Sequence, residues 1–159
     1  MGLFGLFSKK VDTAKSDANK ASMRKLFDQV VPDGGQYKLV YGFSQDITKS
    51  NYIIARKTTY TYTSLIIGYR ADDPTVVILQ TDPALSGCSD PVTYRRADIH
   101  KAYRSRMTGD SLVIYPDKKG YFQFYTYPLT DDESLYVYMD QEQEDKEFTE
   151  FFLRVFATK

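Results

Sequence analysis

Residues 143–156 constrain this chain more than any other stretch. Five of their apolar members are Phe148, Phe151, Phe152, Val155 and Phe156. The spacing i, i+3, i+4, i+7, i+8 makes one stripe along an α-helix. Four of the five are phenylalanines, each large enough to dominate a core. Asp140, Glu142, Glu144, Asp145 and Glu147 lie toward the start, where the helix dipole favours negative charge. Arg154 and Lys159 lie toward the end, where it favours positive charge. The expected helix spans 142–157, and it must bury its stripe against the rest of the chain.

Most of the rest reads as strand. Aromatics are 15 % of the residues, from 14 Tyr and 10 Phe with no Trp, a balance that suits half-buried strands with rings packed and hydroxyls wet. Tyr37, Leu39, Tyr41 and Phe43 alternate with Lys38, Val40 and Gly42, which predicts a half-buried strand. Residues 44–50 read as a polar turn. Residues 51–62 are β-branched and aromatic with a bend at 55–57, and 63–69 either continue that strand or begin another. Residues 75–81 form the most hydrophobic strand, expected at the centre, and 82–91 a long loop. Residues 92–107 read as two strands with a bend near Ala97-Asp98. The clearest hairpin joins 111–115 to 121–127 through Pro116-Asp117-Lys118-Lys119-Gly120. A last strand covers 135–139.

Toward the N-terminus, Met23, Leu26, Phe27, Val30 and Val31 repeat the helical stripe and predict a helix over 21–31. Ser16 or Asn19 is its expected cap, and Pro32-Asp33-Gly34-Gly35 its stop. Residues 1–20 read as an apolar and basic segment plus a stretch, 9–20, that is either linker or a frayed helix start, and 21–159 as one domain. The fold class expected is α+β, mostly β: a curled antiparallel sheet or barrel of about seven strands with a helix at each end.

That order, from residue 35 to 156, resembles the pleckstrin-homology-like fold. The residues carrying the likeness are the 111–127 hairpin, the 135–139 strand and the helix with Phe148, Phe151, Phe152, Val155 and Phe156. The chain is also similar to small bacterial intracellular versions of that fold, whose starts look like Gly2-Leu3-Phe4-Gly5-Leu6-Phe7-Ser8-Lys9-Lys10. It departs in three ways. The tryptophan of the eukaryotic closing helix is missing, with Phe152 able to take its place. The 21–31 helix is an addition. No basic pair in the first hairpin matches a phosphoinositide-binding pattern. An open α+β sheet with flanking helices, such as a cone-shaped ligand-binding fold, is the alternative architecture.

The residues speak less plainly about function. Twenty-one basic residues balance 21 acidic ones, so chain-wide charge steers the protein toward neither membrane nor nucleic acid, and nucleic acid is not an expected partner. The balance is uneven, with a basic N-terminal region and an acidic C-terminal one that can attract each other. His100 is the only histidine, which leaves a catalytic triad or a two-histidine zinc site poorly supplied. Cys88, the only cysteine, sits in a Ser/Gly/Pro-rich loop with no base beside it and reads as an incidental thiol in a reducing, cytoplasmic setting. The acidic groups at 131–133 and 140–150 lack the frame of a Ca²⁺ loop. No glycine-rich phosphate loop occurs, so neither metal nor cofactor is expected.

Two groups of residues could contact a ligand. Arg95, Arg96, His100, Lys101, Arg104 and Arg106, interleaved with Tyr94 and Tyr103, could hold phosphate by charge and stacking, or simply line a solvated face. Leu3, Phe4, Leu6 and Phe7, followed by Lys9 and Lys10, could touch an anionic membrane or a partner protein. The function expected is a non-enzymatic binding or adaptor module, engaging a protein or a second copy of itself through a sheet edge or a tyrosine-rich face. The alternative is a peripheral protein of an anionic membrane surface.

Overall fold

A computed structural model describes residues 11–51, 56–107 and 110–158, with side chains described outside 46–61. Helix α1 (Thr13–Val30) is followed by a single 3₁₀ turn (Gly34–Gln36) and strands β1 (Lys38–Asn51), β2 (Arg56–Arg70), β3 (Thr75–Thr81) and β4 (Val92–Arg95). Then come β5 (Lys101–Ser105), β6 (Ser111–Tyr115), β7 (Phe122–Phe124), β8 (Leu129–Thr130) and β9 (Met139–Asp140). Helix α2 (Glu142–Phe151) ends in a π-turn (Phe152–Phe156).

The architecture is α+β with antiparallel sheets and a C-terminal helix, as expected, but the strands do not close into a barrel. One sheet has the order β1-β2-β3-β4, a second β5-β6-β7, and β8-β9 form a small third. The first two meet at one bridge, Phe43 with Tyr125. At the other junction, the turn after β4 accepts two amides on the Arg95 carbonyl, from Asp98 and Ile99, and this carries the chain away before it can pair. The free edge of β5 is instead capped by Thr158, whose amide donates to the Ala102 carbonyl at 2.8 Å and whose hydroxyl accepts the Ala102 amide at 2.9 Å.

The inner part of the four-stranded sheet, in β1, β2 and β3, is buried on both faces, while β4 is mostly exposed. Val40, Leu65, Ile67, Val76 and Ile78 point to the second sheet and α2. Tyr41, Ile66, Val77 and Leu79 point to α1 and the 137–139 segment. The half-buried first strand is therefore a correction: Val40 and Tyr41 are both 0 % exposed. The reason is α1, which gives the lysine-flanked alternation a second apolar layer. Phe27 lies so close to the sheet that a Cβ on Gly68 would overlap its ring.

Several boundaries differ from expectation. The α1 cap is Asp12, whose carboxylate accepts the Lys15 amide at 3.0 Å, so residues 13–20 are helix and not linker. Ser16 and Asn19 do other work. The Ser16 hydroxyl accepts the Asp140 amide at 2.9 Å, and Asn19 donates to the Tyr138 carbonyl at 2.9 Å. Residues 44–50 are strand: β1 pairs with β2 from Lys38↔Tyr69 out to Asn51↔Arg56. Their polar composition hides a ladder that runs past the end of β3. Residues 135–138 are not strand, because Leu135 and Tyr136 both donate to the Asp132 carbonyl in a tight helical turn. Val155 leaves the core at 39 % exposure. The Ala157 amide donates to the Phe152 carbonyl across the wider π-turn, so Phe156 and not Val155 returns beneath the helix. The oppositely charged ends do meet, through Lys15–Glu133 at 2.8 Å and Lys20–Glu144 at 2.5 Å. The first of these pairs is exposed and contributes little to stability.

Candidate functional site

A half-open cleft of about 440 Å³ lies where the π-turn passes the end of the four-stranded sheet. Its apolar floor is Tyr69, Phe151 and Val155. Tyr69 is set by β2 and packs against Phe148 and Phe151 with ring centroids 5.1 and 4.8 Å away. Burial, then the negative charges of Glu147 and Glu144, push its phenol up to about 12, so it stays neutral and can donate a hydrogen bond at ordinary pH. Val155 reaches the cleft because of the π-turn.

Charges of both signs line this floor. Lys38 faces Glu147 at 3.7 Å. Arg70 holds Asp72 through two contacts, at 2.9 and 2.6 Å, and that guanidinium keeps the Asp72 carboxyl down at about 2. Arg70 also lies over the Tyr37 ring, 5.6 Å from its centroid. Glu150 and Arg154 complete the rim from α2 and the π-turn. Cations and carboxylates here neutralise one another, and the lining contains no histidine, cysteine or serine to act as nucleophile or base.

A smaller pocket of about 170 Å³ lies between α2 and the second sheet, where Arg104, Asp110, Thr126 and Asp145 converge. One Asp145 carboxylate oxygen is fully buried without a hydrogen-bond partner. Burial raises its pKa against the opposing effects of the Thr126 hydrogen bond and the Arg104 charge.

The structure does not bring the six-residue basic cluster together. Arg95 pairs with Asp73 at 2.8 Å at one end of the first sheet. The Arg96 amide donates to the Pro74 carbonyl, which fixes the turn there. His100 is exposed. Lys101 sits on the outer face of the second sheet over Tyr115 and Tyr103. Arg104 lines the Asp145 pocket, and Arg106 faces Asp110 at 3.5 Å. The bend at 96–98 and the alternation of β5 scatter them. Leu3, Phe4, Leu6, Phe7, Lys9 and Lys10 lie outside the described residues. The Cys88 thiol is raised by burial and by Asp90, which disfavours the reactive thiolate.

Phe151 is buried in the core as the stripe implies, but Val155 is not, and the cleft between them was missed because nothing in the pattern signals a π-turn. Sequence reasoning also missed Gln141, described below. Among the described residues no helix is long and apolar enough to cross a membrane, and no group of His, Cys, Asp or Glu is placed to hold a metal ion. No family model, no curated protein and no solved structure matches the chain.

Proposed function

We propose that this protein is a non-enzymatic binding module that engages another protein, or a second copy of itself, at the cleft beside the π-turn. The observation that carries the reading is the cleft's make-up: an apolar floor of Tyr69, Phe151 and Val155 inside a rim of mutually balanced charges. Small-molecule sites enclose most of their ligand. A half-open cleft suits one apolar side chain of a partner segment, with the partner's own charges meeting Glu150 and Arg154. We read the framework as pleckstrin-homology-like: four strands, then three, then a closing helix whose Phe152 is fully buried support that reading. Membrane-surface binding through the basic cluster gains no support, because the cluster's members diverge.

The test is a photo-crosslinking amino acid placed at Val155 and, as control, at Leu135, exposed to 39 % and 38 % respectively. A discrete protein adduct at 155 but not at 135, weakened by Glu150→Lys with Arg154→Glu, is the expected result. Equal adducts at both positions, or none at 155, would refute the proposal.

A further inference from the structure

The outer face of the second sheet carries a feature the cleft does not use. Along β5–β7, Ala102, Ile114 and Phe124 are fully buried. By strand alternation and register, Lys101, Tyr103 and Tyr115 stand on the opposite face. Tyr121 joins them immediately before β7. The Tyr103 and Tyr115 rings are 6.2 Å apart and 20° from parallel, and Tyr115 and Tyr121 are 5.4 Å apart at 36°. Tyr121 is 61 % exposed and Tyr103 36 %. Tyr115 is half-buried between them, and Val113 on the same face is covered, so the accessible aromatic surface is that of Tyr121 and Tyr103.

The row is also basic. The Lys101 ammonium lies 4.4 Å from the Tyr115 ring centroid and 5.6 Å from that of Tyr103. Lys118 and Lys119 stand on the turn that joins Tyr115 to Tyr121. Among the described residues, ion pairs with carboxylates are made by other cations and not by these three lysines. The one acid in the turn, Asp117, is exposed, and its carboxylate accepts the Lys119 and Gly120 amides at 2.8 and 3.0 Å.

We propose that this face binds single-stranded nucleic acid, with bases stacked on Tyr121 and Tyr103, Tyr115 backing them under Lys101, and phosphates met by Lys101, Lys118 and Lys119. Every base has a π-face, so stacking needs no sequence match. The ring spacings exceed the rise of about 3.4 Å per nucleotide in a stacked strand. Bases must therefore splay to one per ring, which a flexible single strand allows and a duplex does not. A proline-rich peptide would use the rings but leave the lysines unanswered. The neutral balance of the whole chain hides this patch, because nine of the 21 acids gather at 131–133 and 140–150.

The experiment is fluorescence anisotropy of a labelled oligothymidylate of about 12 nucleotides with the full chain, across a salt series. Three phosphate contacts give a slope of log K against log salt of about −2. Lys101→Gln is expected to make that slope shallower by about 0.7. Tyr121→Ala is expected to weaken binding about 10-fold, and Tyr121→Phe to restore it, since the ring and not the hydroxyl stacks. An abasic oligomer with the same phosphates is expected to bind more weakly than the thymidylate. Thermal melts of the variants verify folding, which so exposed a residue leaves intact. Absence of binding at low salt, equal binding of the abasic oligomer, or insensitivity to Tyr121→Ala would overturn the proposal. So would displacement of the oligomer by oligoproline in preference to a second oligonucleotide.

Discussion

Gln141 is the residue whose removal most directly tests how the layers are joined. It is 1 % exposed, and its side-chain amide makes three hydrogen bonds. The carbonyl accepts the Tyr41 amide at 2.8 Å, and the NH₂ donates to the Tyr41 and Tyr127 carbonyls, each at 2.8 Å. The side chain therefore replaces a missing strand along β1 and ties it to the entry of α2. Gln141→Ala leaves the Tyr41 N–H buried without an acceptor and two carbonyls short of a donor. An orphaned buried group costs about 1–3 kcal/mol. With the N–H at the upper part of that range and the carbonyls accepting relaxed geometry, the expected loss is about 3 kcal/mol. For a chain of this size that corresponds to about 6–12 °C in Tm. Gln141 makes no side-chain capping bond to α2, so the loss is not a capping effect. Gln141→Glu keeps the acceptor and sets a carboxylate against two carbonyls, so it is expected to be at least as damaging. Urea unfolding followed by circular dichroism measures both. A Gln141→Ala loss below about 0.5 kcal/mol would refute the claim that this amide stands in for a strand.

Two further outcomes follow from titration. Tyr69 has its pKa raised to about 12 in the fold, above the ordinary value near 10. Its neutral form is favoured in the native state, so its contribution is complete below pH 10 and is lost as pH rises toward 12. That loss is about 2.7 kcal/mol at most. Tyr69→Phe is expected to flatten the fall in stability over that window, read by denaturant melts at pH 9 and 11; an unchanged slope counts against the burial argument. Asp145 has a raised pKa through burial, so its ionised form costs stability at neutral pH. Asp145→Asn is expected to raise Tm at pH 7 and to gain less as pH falls through the wild-type carboxyl's titration. A gain that does not vary with pH would show that the carboxyl is not held toward its neutral form.

The two helical stripes and the 111–127 hairpin were legible because each repeats one period over enough residues to exclude the alternative. Residues 44–50 were not, since a paired ribbon without an apolar face has no hydrophobic period to read. Residues 135–138 have the composition of a strand, but Asp132 and Ser134 compete for the backbone: the Asp132 carboxylate accepts the Ser134 amide at 3.1 Å and its hydroxyl at 2.5 Å. The cleft was illegible because it depends on one extra residue in the last helical turn. The basic cluster divides because neighbours on a strand face opposite ways, as buried Ala102 and exposed Lys101 and Tyr103 do, an alternation the strand pattern of 99–106 already implies. Gln141 carries no pattern at all; its role exists only once β1 and α2 have come together.

The overlap between Phe27 and any side chain at position 68 reaches beyond this one molecule. These residues share a single volume, so they form one heritable unit although 41 positions separate them. A descendant that acquires a side chain at 68 has to shrink residue 27 or lift α1 from the sheet. The order matters: the smaller residue at 27 leaves a cavity that a folded protein can survive, whereas the larger one at 68 meets an aromatic ring with nowhere to go. Evolution along this pair is therefore expected to run in one direction first, through position 27.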